Sequence, residues 1–157
     1  MIIRKITKKD LDWLAKLITK KWKSEKIVSR GKIYDVQTLP GFVAVDENNY
    51  LGLITYNIEN NNCEIISLNS LKEGVGVGSA LLKRVIGTAK EKKCKRVFVI
   101  TTNNNLQGLR FYQKKGFTIK AVYKNAVEQS RKLKPEIPLV GSCGIRIKDE
   151  IELEMKL

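Results

Sequence analysis

The stretch LKEGVGVGSALL, Leu71–Leu82, decides how the chain is read. Gly74, Gly76 and Gly78 alternate with valines, and an apolar helical pattern follows with neither proline nor aspartate to open it. Glycine weakens a regular element, but it lets backbone approach a ligand closely. A glycine-rich turn entering a helix also presents N–H groups at the positive end of the helix dipole, which suits a phosphate. Two familiar versions fail here. A P-loop requires Gly-Lys-Ser/Thr, and Gly78-Ser79-Ala80 has no lysine. A dinucleotide fingerprint requires a third glycine and a carboxylate closing the next strand, and neither is present. Taken alone, the loop reads equally well as a tight strand–helix turn.

The flanks give it a setting. Before the loop, CEIISLNSL (Cys63–Leu71) reads as a strand. After it, Leu81, Leu82, Val85, Ile86 and Ala89 form a helical stripe that ends in Lys90, Lys92 and Lys93, cations suited to the helix C-terminus. RVFVITT (Arg96–Thr102) is a continuous apolar run, as a buried parallel strand requires. Strand, helix and strand form a right-handed βαβ unit.

Upstream, Ile2–Ile6 alternates like a strand, and Thr7 with Asp10 has the spacing of a helix start. Leu11, Leu14, Leu17 and Ile18 then share one helical face, with Trp13 and Trp22 on or beside it. Gly41–Asp46 and Tyr50–Ile58 read as strands joined at Glu47–Asn49, and Asn60–Asn62 turns into the next strand. Downstream, Asn105 caps a short helix that Gly116 ends, and Phe117–Tyr123 is a strand. A helical segment at Ala126–Leu133, a loop from Pro135 to Gly144 and a final alternating strand, Glu150–Leu157, complete the order. With no repeat and no linker, residues 1–157 are expected to form one α/β domain.

Composition narrows the function classes. Of 157 residues, 43% are hydrophobic and 29% charged, as in an ordinary soluble globule. No apolar run approaches the ~20 residues that cross a bilayer, and MIIRKITKKDLDW lacks the apolar core of a secretory signal. A cytoplasmic protein with no membrane partner is expected. Histidine is absent, and Cys63, Cys94 and Cys143 are widely spaced, so neither a metal site nor a disulfide framework is expected. The net charge of +14 favours anionic partners. Basic residues nevertheless run from Arg4 to Lys156 without an RNP, zinc or helix–turn–helix signature, so nucleic acid stays an alternative without a motif.

Asn105, Phe111, Tyr112, Gly116 and Phe117 form N-x5-F-Y-x3-G-F directly after the second parallel strand. Paired with Gly76-x-Gly78, this resembles the GNAT superfamily of acetyl-CoA-dependent N-acetyltransferases. The resemblance covers residues 1–124 in element order and is specific over Glu64–Phe117. It implies a mixed sheet of six or seven strands, splayed at its centre and flanked by helices, with acetyl-CoA as co-substrate and no metal. The acceptor implied is an amine on a small molecule or peptide, and the state implied is monomer or homodimer. A non-catalytic acyl-CoA-binding sensor of the same fold and a basic RNA- or ribosome-associated protein are the alternative readings.

The resemblance also implies roles. Backbone amides of Gly74, Val75, Gly76, Val77, Gly78 and Ser79 cradle the pyrophosphate. Leu68, Asn69 and Ser70 lie along the acetyl arm, with the Leu68 N–H polarising the thioester carbonyl. Asn105 contacts the coenzyme arm, Tyr112 protonates the departing thiolate, and Glu64 relays the proton off the amine. Each of the last three has a plainer reading: an N-cap, a core aromatic, and a solvated strand-end carboxylate. Glu73 departs from the family pattern, which has Arg or Gln there, and Lys72, Lys83 and Arg84 are the cations expected to offset it. The acceptor is expected to be read by a helical region over Trp13–Tyr34 and by the loop over Lys132–Gly144.

Overall fold

A computed structural model describes all 157 residues. The chain opens with β1 (Ile2–Lys5) and a single 3-10 turn that leads into α1 (Leu11–Trp22). The stripe expected for this helix buries Leu14 and Ile18, and Lys23 ends it in the left-handed conformation at φ 65°. Thr7 and Asp10 do mark the start, but Asp10 does more than cap. Its fully buried carboxylate accepts both Arg4 guanidinium nitrogens at 2.8 and 2.9 Å, the Thr7 N–H at 2.7 Å and the Tyr50 hydroxyl at 2.6 Å. Tyr50 in turn stacks on Trp13, with ring centroids 3.9 Å apart.

Beyond Trp22 the structure corrects the helical expectation. Lys26–Ser29 and Lys32–Asp35 form β2 and β3, a hairpin that makes its own two-stranded sheet. Arg30 and Gly31, at φ 48° and 77°, supply the two left-handed residues of a tight hairpin turn. The β-branched residues Ile27, Val28 and Ile33 fit a pleated surface better than a helix.

β4 (Gly41–Asp46), β5 (Asn49–Glu59) and β6 (Asn62–Ser70) form the expected meander. Then come α2 (Val77–Glu91), β7 (Arg96–Thr102), α3 (Leu106–Lys114), β8 (Thr118–Tyr123), α4 (Ala126–Leu133) and β9 (Glu150–Lys156). The seven-stranded sheet has the order β1-β4-β5-β6-β7-β9-β8, and only β6 and β7 run parallel. The stripe of α2 packs Leu81, Leu82, Val85 and Ala89 on one face of the sheet, against Phe42, Ile54, Ile65 and Val97. On the other face, α1 and the hairpin bury Leu14, Ile18, Ile27 and Tyr34 against Val43, Leu53 and Ile66.

The centre of the sheet splits. β6 and β7 pair only from Asn62–Ile65 against Arg96–Val99, while β7 continues on its other side with β9 over its whole length. At the parting point β6 carries a bulge, because Ile65 pairs with Tyr56 and Ser67 with Thr55, leaving Ile66 without a counterpart. A bulge bends its strand and increases the local twist. The expected central splay is therefore present, with two strands drawn to different neighbours.

The Asp10 network yields the first prediction. Its hydrogen bond from Arg4 holds the carboxyl well below the ordinary value of 3.8, with Tyr50 and Thr7 adding to the effect. A depressed carboxyl contributes stability above its unfolded pKa and loses it as the pH falls. Asp10→Ala should cost about 2–3 kcal/mol at pH 7, below the range for fully buried pairs because Arg4 is 39% exposed. Urea melts at pH 7 and at pH 3 should show the gap narrowing in acid.

Candidate active site

The phase of the β5–β6 ladder decides what β6 offers to the split. Leu71 N–H donates to Leu51 O at 2.8 Å, which makes Leu71, Asn69 and Ser67 the residues that share hydrogen bonds with β5. Leu68 and Ser70 lie between them, so their N–H and C=O groups point to the opposite edge, where β7 has moved away. Asn69 adds a second feature to this limb. Its side-chain Oδ1 is buried without any hydrogen-bond partner.

The loop that ends β6 is built for backbone exposure. Gly74 and Gly76 take φ of 76° and 79°, where a Cβ would meet no atom within 4 Å. Conformation, not packing, therefore requires glycine there. The first internal hydrogen bond of α2 runs from Ala80 N–H to Gly76 O at 3.0 Å. The amides of Val77, Gly78 and Ser79 precede it and have no helical acceptor. The buried Val77 side chain anchors this first turn, and Gly78 passes close to the Phe111 ring. Val75 is exposed at the loop tip.

Asn105 sits at the start of α3 with its side chain occupied. Its Oδ1 accepts the Gly108 N–H at 3.1 Å, and its Nδ2 donates to Thr101 Oγ1 at 2.8 Å. A Cβ at Gly108 would come within 2.4 Å of that Nδ2, so the cap needs glycine three residues on. One Nδ2 hydrogen remains uncommitted. Tyr112 packs edge-on to Phe111 and tilted against Phe117, inside the α2-side core. Burial pushes its phenol well above the ordinary value. Its hydroxyl has no partner in the protein and is not sealed from solvent.

Glu64 is not the solvated strand-end carboxylate of the plainer reading. It is 8% exposed, and the hairpin that the sequence did not reveal closes over it. Ser29 Oγ donates to its carboxylate at 2.6 Å and the Tyr34 hydroxyl at 3.3 Å. Burial raises its pKa above the ordinary 4.5, and these two hydrogen bonds oppose the rise. Glu64 faces a cavity of about 170 Å³ that it shares with Asn57 and Phe98, its neighbours across the two ladders. The hairpin is tied to the far half of the sheet as well. Arg30 reaches Glu150 at 3.2 Å and lies 3.5 Å over the Tyr123 ring, and Lys134 Nζ donates to Lys26 O at 2.8 Å.

The acetyltransferase (GNAT) family model matches residues 10–117. The chain belongs to the GNAT family. It is 45% identical over 139 residues to the uncharacterized protein YdhI of Bacillus subtilis (strain 168), covering 88% of this chain and 87% of the relative. It is 42% identical over 147 residues to the uncharacterized protein YxbD of the same strain, covering 93% and 92%. A GNAT acetyltransferase from Elizabethkingia anophelis, solved with acetyl-CoA bound, superposes with a TM-score of 0.70 at 26% identity, over 99% of this chain and 97% of that one.

Within this GNAT frame Glu73 meets a different environment from the one expected. Lys83 and Arg84 do not approach it, because the phase of α2 turns both toward β1 and β4, where Arg84 donates to Ile3 O at 3.3 Å. The group beside Glu73 is the Gln107 side-chain amide, at 3.4 Å from the first turn of α3. Glu73 is exposed and Lys72 is the one expected cation still adjacent in the chain.

Glu64 supplies a prediction that needs no substrate. A carboxyl whose folded pKa is raised carries no penalty below its unfolded pKa and a full penalty above its folded one. Glu64→Gln keeps an oxygen acceptor for one of the two hydroxyls, turns an N–H donor to the other, and removes the buried charge. Thermal melts should find the variant no less stable than the parent at pH 4 and more stable at pH 7. Equal differences at both pH values would mean that Glu64 is not raised.

Proposed function

We propose that residues 1–157 act as one catalytic domain that transfers the acetyl group of acetyl-CoA to an amine of a small molecule or peptide. The carrying observation is the split between β6 and β7, with the Leu68 and Ser70 edges open beside a left-handed glycine loop and free helix-start amides. These groups fit the coenzyme. The amides at Gly74–Ser79 suit a pyrophosphate, and the exposed edge of Leu68–Ser70 suits an arm with amide groups of its own. Acetyl-CoA, as substrate, brings an activated acetyl thioester.

The chain's own residues then divide the work. The Leu68 N–H, on the open edge of β6, polarises the thioester carbonyl in this reading, a backbone donor needing no reorganisation. Asn105 offers its remaining N–H to the coenzyme arm. Tyr112 keeps its proton at neutral pH because burial holds the phenol up, and it delivers that proton to the departing thiolate as the C–S bond breaks. An acceptor amine is mostly protonated at pH 7. Glu64, held by Ser29 and Tyr34, receives the surplus proton through water as the new C–N bond forms.

Mass-shift screening of an amine panel with acetyl-CoA tests the reading. Wild type should add one acetyl group to at least one amine. Tyr112→Phe should bind acetyl-CoA normally and turn over roughly 10–100-fold more slowly, and Gly76→Asp should lose coenzyme binding in calorimetry. Tight acetyl-CoA binding without an acetylated product across the panel would favour the sensor reading instead.

A further inference from the structure

A cavity of about 790 Å³ lies on the α2 face, between α2 and the edge formed by β1 and β4. Nothing in the acetyl-transfer site uses it. It is lined by α2 from Ala80 to Glu91 and by the following Lys92, and Gly87 lies about 15 Å along the helix from the coenzyme loop at 1.5 Å per residue. Its floor is apolar and aromatic, made chiefly of Phe42 and Tyr56, both buried. Its rim is basic. Lys5, Lys83, Arg84 and Lys92 all line it, and none of them pairs with a carboxylate in the protein. Glu91 is the single acid on the wall.

Two details indicate a ligand and not only a basic surface. Gly87 sits mid-helix, where glycine costs about 1 kcal/mol relative to alanine. A Cβ there would meet nothing within 4 Å, so no packing in the protein requires glycine, and the bare backbone forms part of the cavity wall. Tyr56 lines the cavity, and its hydroxyl makes no hydrogen bond to another residue. It is a donor available to whatever enters. The volume is that of a small-molecule site, and the lining, apolar at Phe42 and Tyr56 and otherwise largely polar and basic, suits a charged ligand.

We propose that this cavity binds a small organic anion: an apolar, preferably aromatic body on Phe42 and against Gly87, with a carboxylate or phosphate group held by Lys5, Lys83 and Arg84. Arg84 is already positioned for this, with its guanidinium 5.0 Å from the Phe42 ring centroid and a hydrogen bond to Ile3 O. Phenyl phosphate and benzoate represent the class.

The probe is 8-anilinonaphthalene-1-sulfonate, an aromatic body with one sulfonate, titrated by fluorescence into the full chain with and without saturating coenzyme A. Wild type should show one saturable site that coenzyme A leaves unchanged and that phenyl phosphate or benzoate displaces. Potassium chloride should weaken it. Gly87→Leu, which fills the wall, and Lys5→Glu with Lys83→Glu, which inverts the rim, should each bind the probe roughly tenfold more weakly or worse. Circular dichroism confirms folding, and the lysine variant serves if the leucine variant does not fold. Unchanged affinity in the folded variants would overturn the proposal. So would displacement by coenzyme A, which puts the probe in the coenzyme site, or by a glutamate-rich peptide alone, which assigns the groove to an acidic protein segment.

Discussion

Two parallel strands that pair for four positions and then part are the constraint on which the site depends. β7 cannot follow β6, because β9 holds its other edge from Arg96 to Thr102. β6 cannot follow β7, because β5 holds it through Ser70 and the bulge at Ile66 turns it. The split leaves backbone N–H and C=O groups of Leu68 and Ser70 without a strand partner. Such an edge is a ready template for an extended molecule that brings its own hydrogen-bonding groups. The glycine loop and the α2 amides stand at the end of that edge because β6 leads directly into them.

The opposite face of the sheet shows how partners, more than burial, set the charge of an acid. Glu64 and Glu152 are buried to similar degrees, at 8% and 5% exposure. For Glu152, burial is outweighed by Arg96 at 2.6 Å, with the Tyr123 hydroxyl and Lys120 helping, and its pKa falls below the ordinary value. Glu64 has hydroxyl partners and no cation within 4 Å, and its pKa rises. In a chain of net charge +14, the one buried carboxylate without a cation on this face is the one beside the split. A carboxylate in that condition holds a proton more readily than an ordinary one.

The elements with a single strong period were legible in the sequence. The stripe from Leu81 to Ala89, the apolar run Arg96–Thr102 and the turns at Glu47 and Asn60–Asn61 all fall where their residue types place them. The hairpin over Lys26–Asp35 was not, because the helical stripe before it drew the reading onward to Tyr34. Its signal was present in Arg30-Gly31 between two alternating strands, but the contact of Ser29 and Tyr34 with Glu64 spans 30 residues or more and two sheets. The bulge at Ile66 and the insertion of β9 beside β7 depend on contacts remote in sequence, which no local period encodes. Lys83 and Arg84 are near Glu73 in sequence, yet helix phase carries them to another face.

Amide hydrogen exchange resolved by residue tests the split most directly. In the free protein the Leu68 and Ser70 amides should exchange fast, while Ser67 and Asn69, bonded to β5, are protected. Saturating acetyl-CoA should slow Leu68 and Ser70 strongly and leave the other two little changed. Leu68 and Ser70 as well protected as Asn69 before any coenzyme is added would contradict the account, because β6 would then have no open edge to offer.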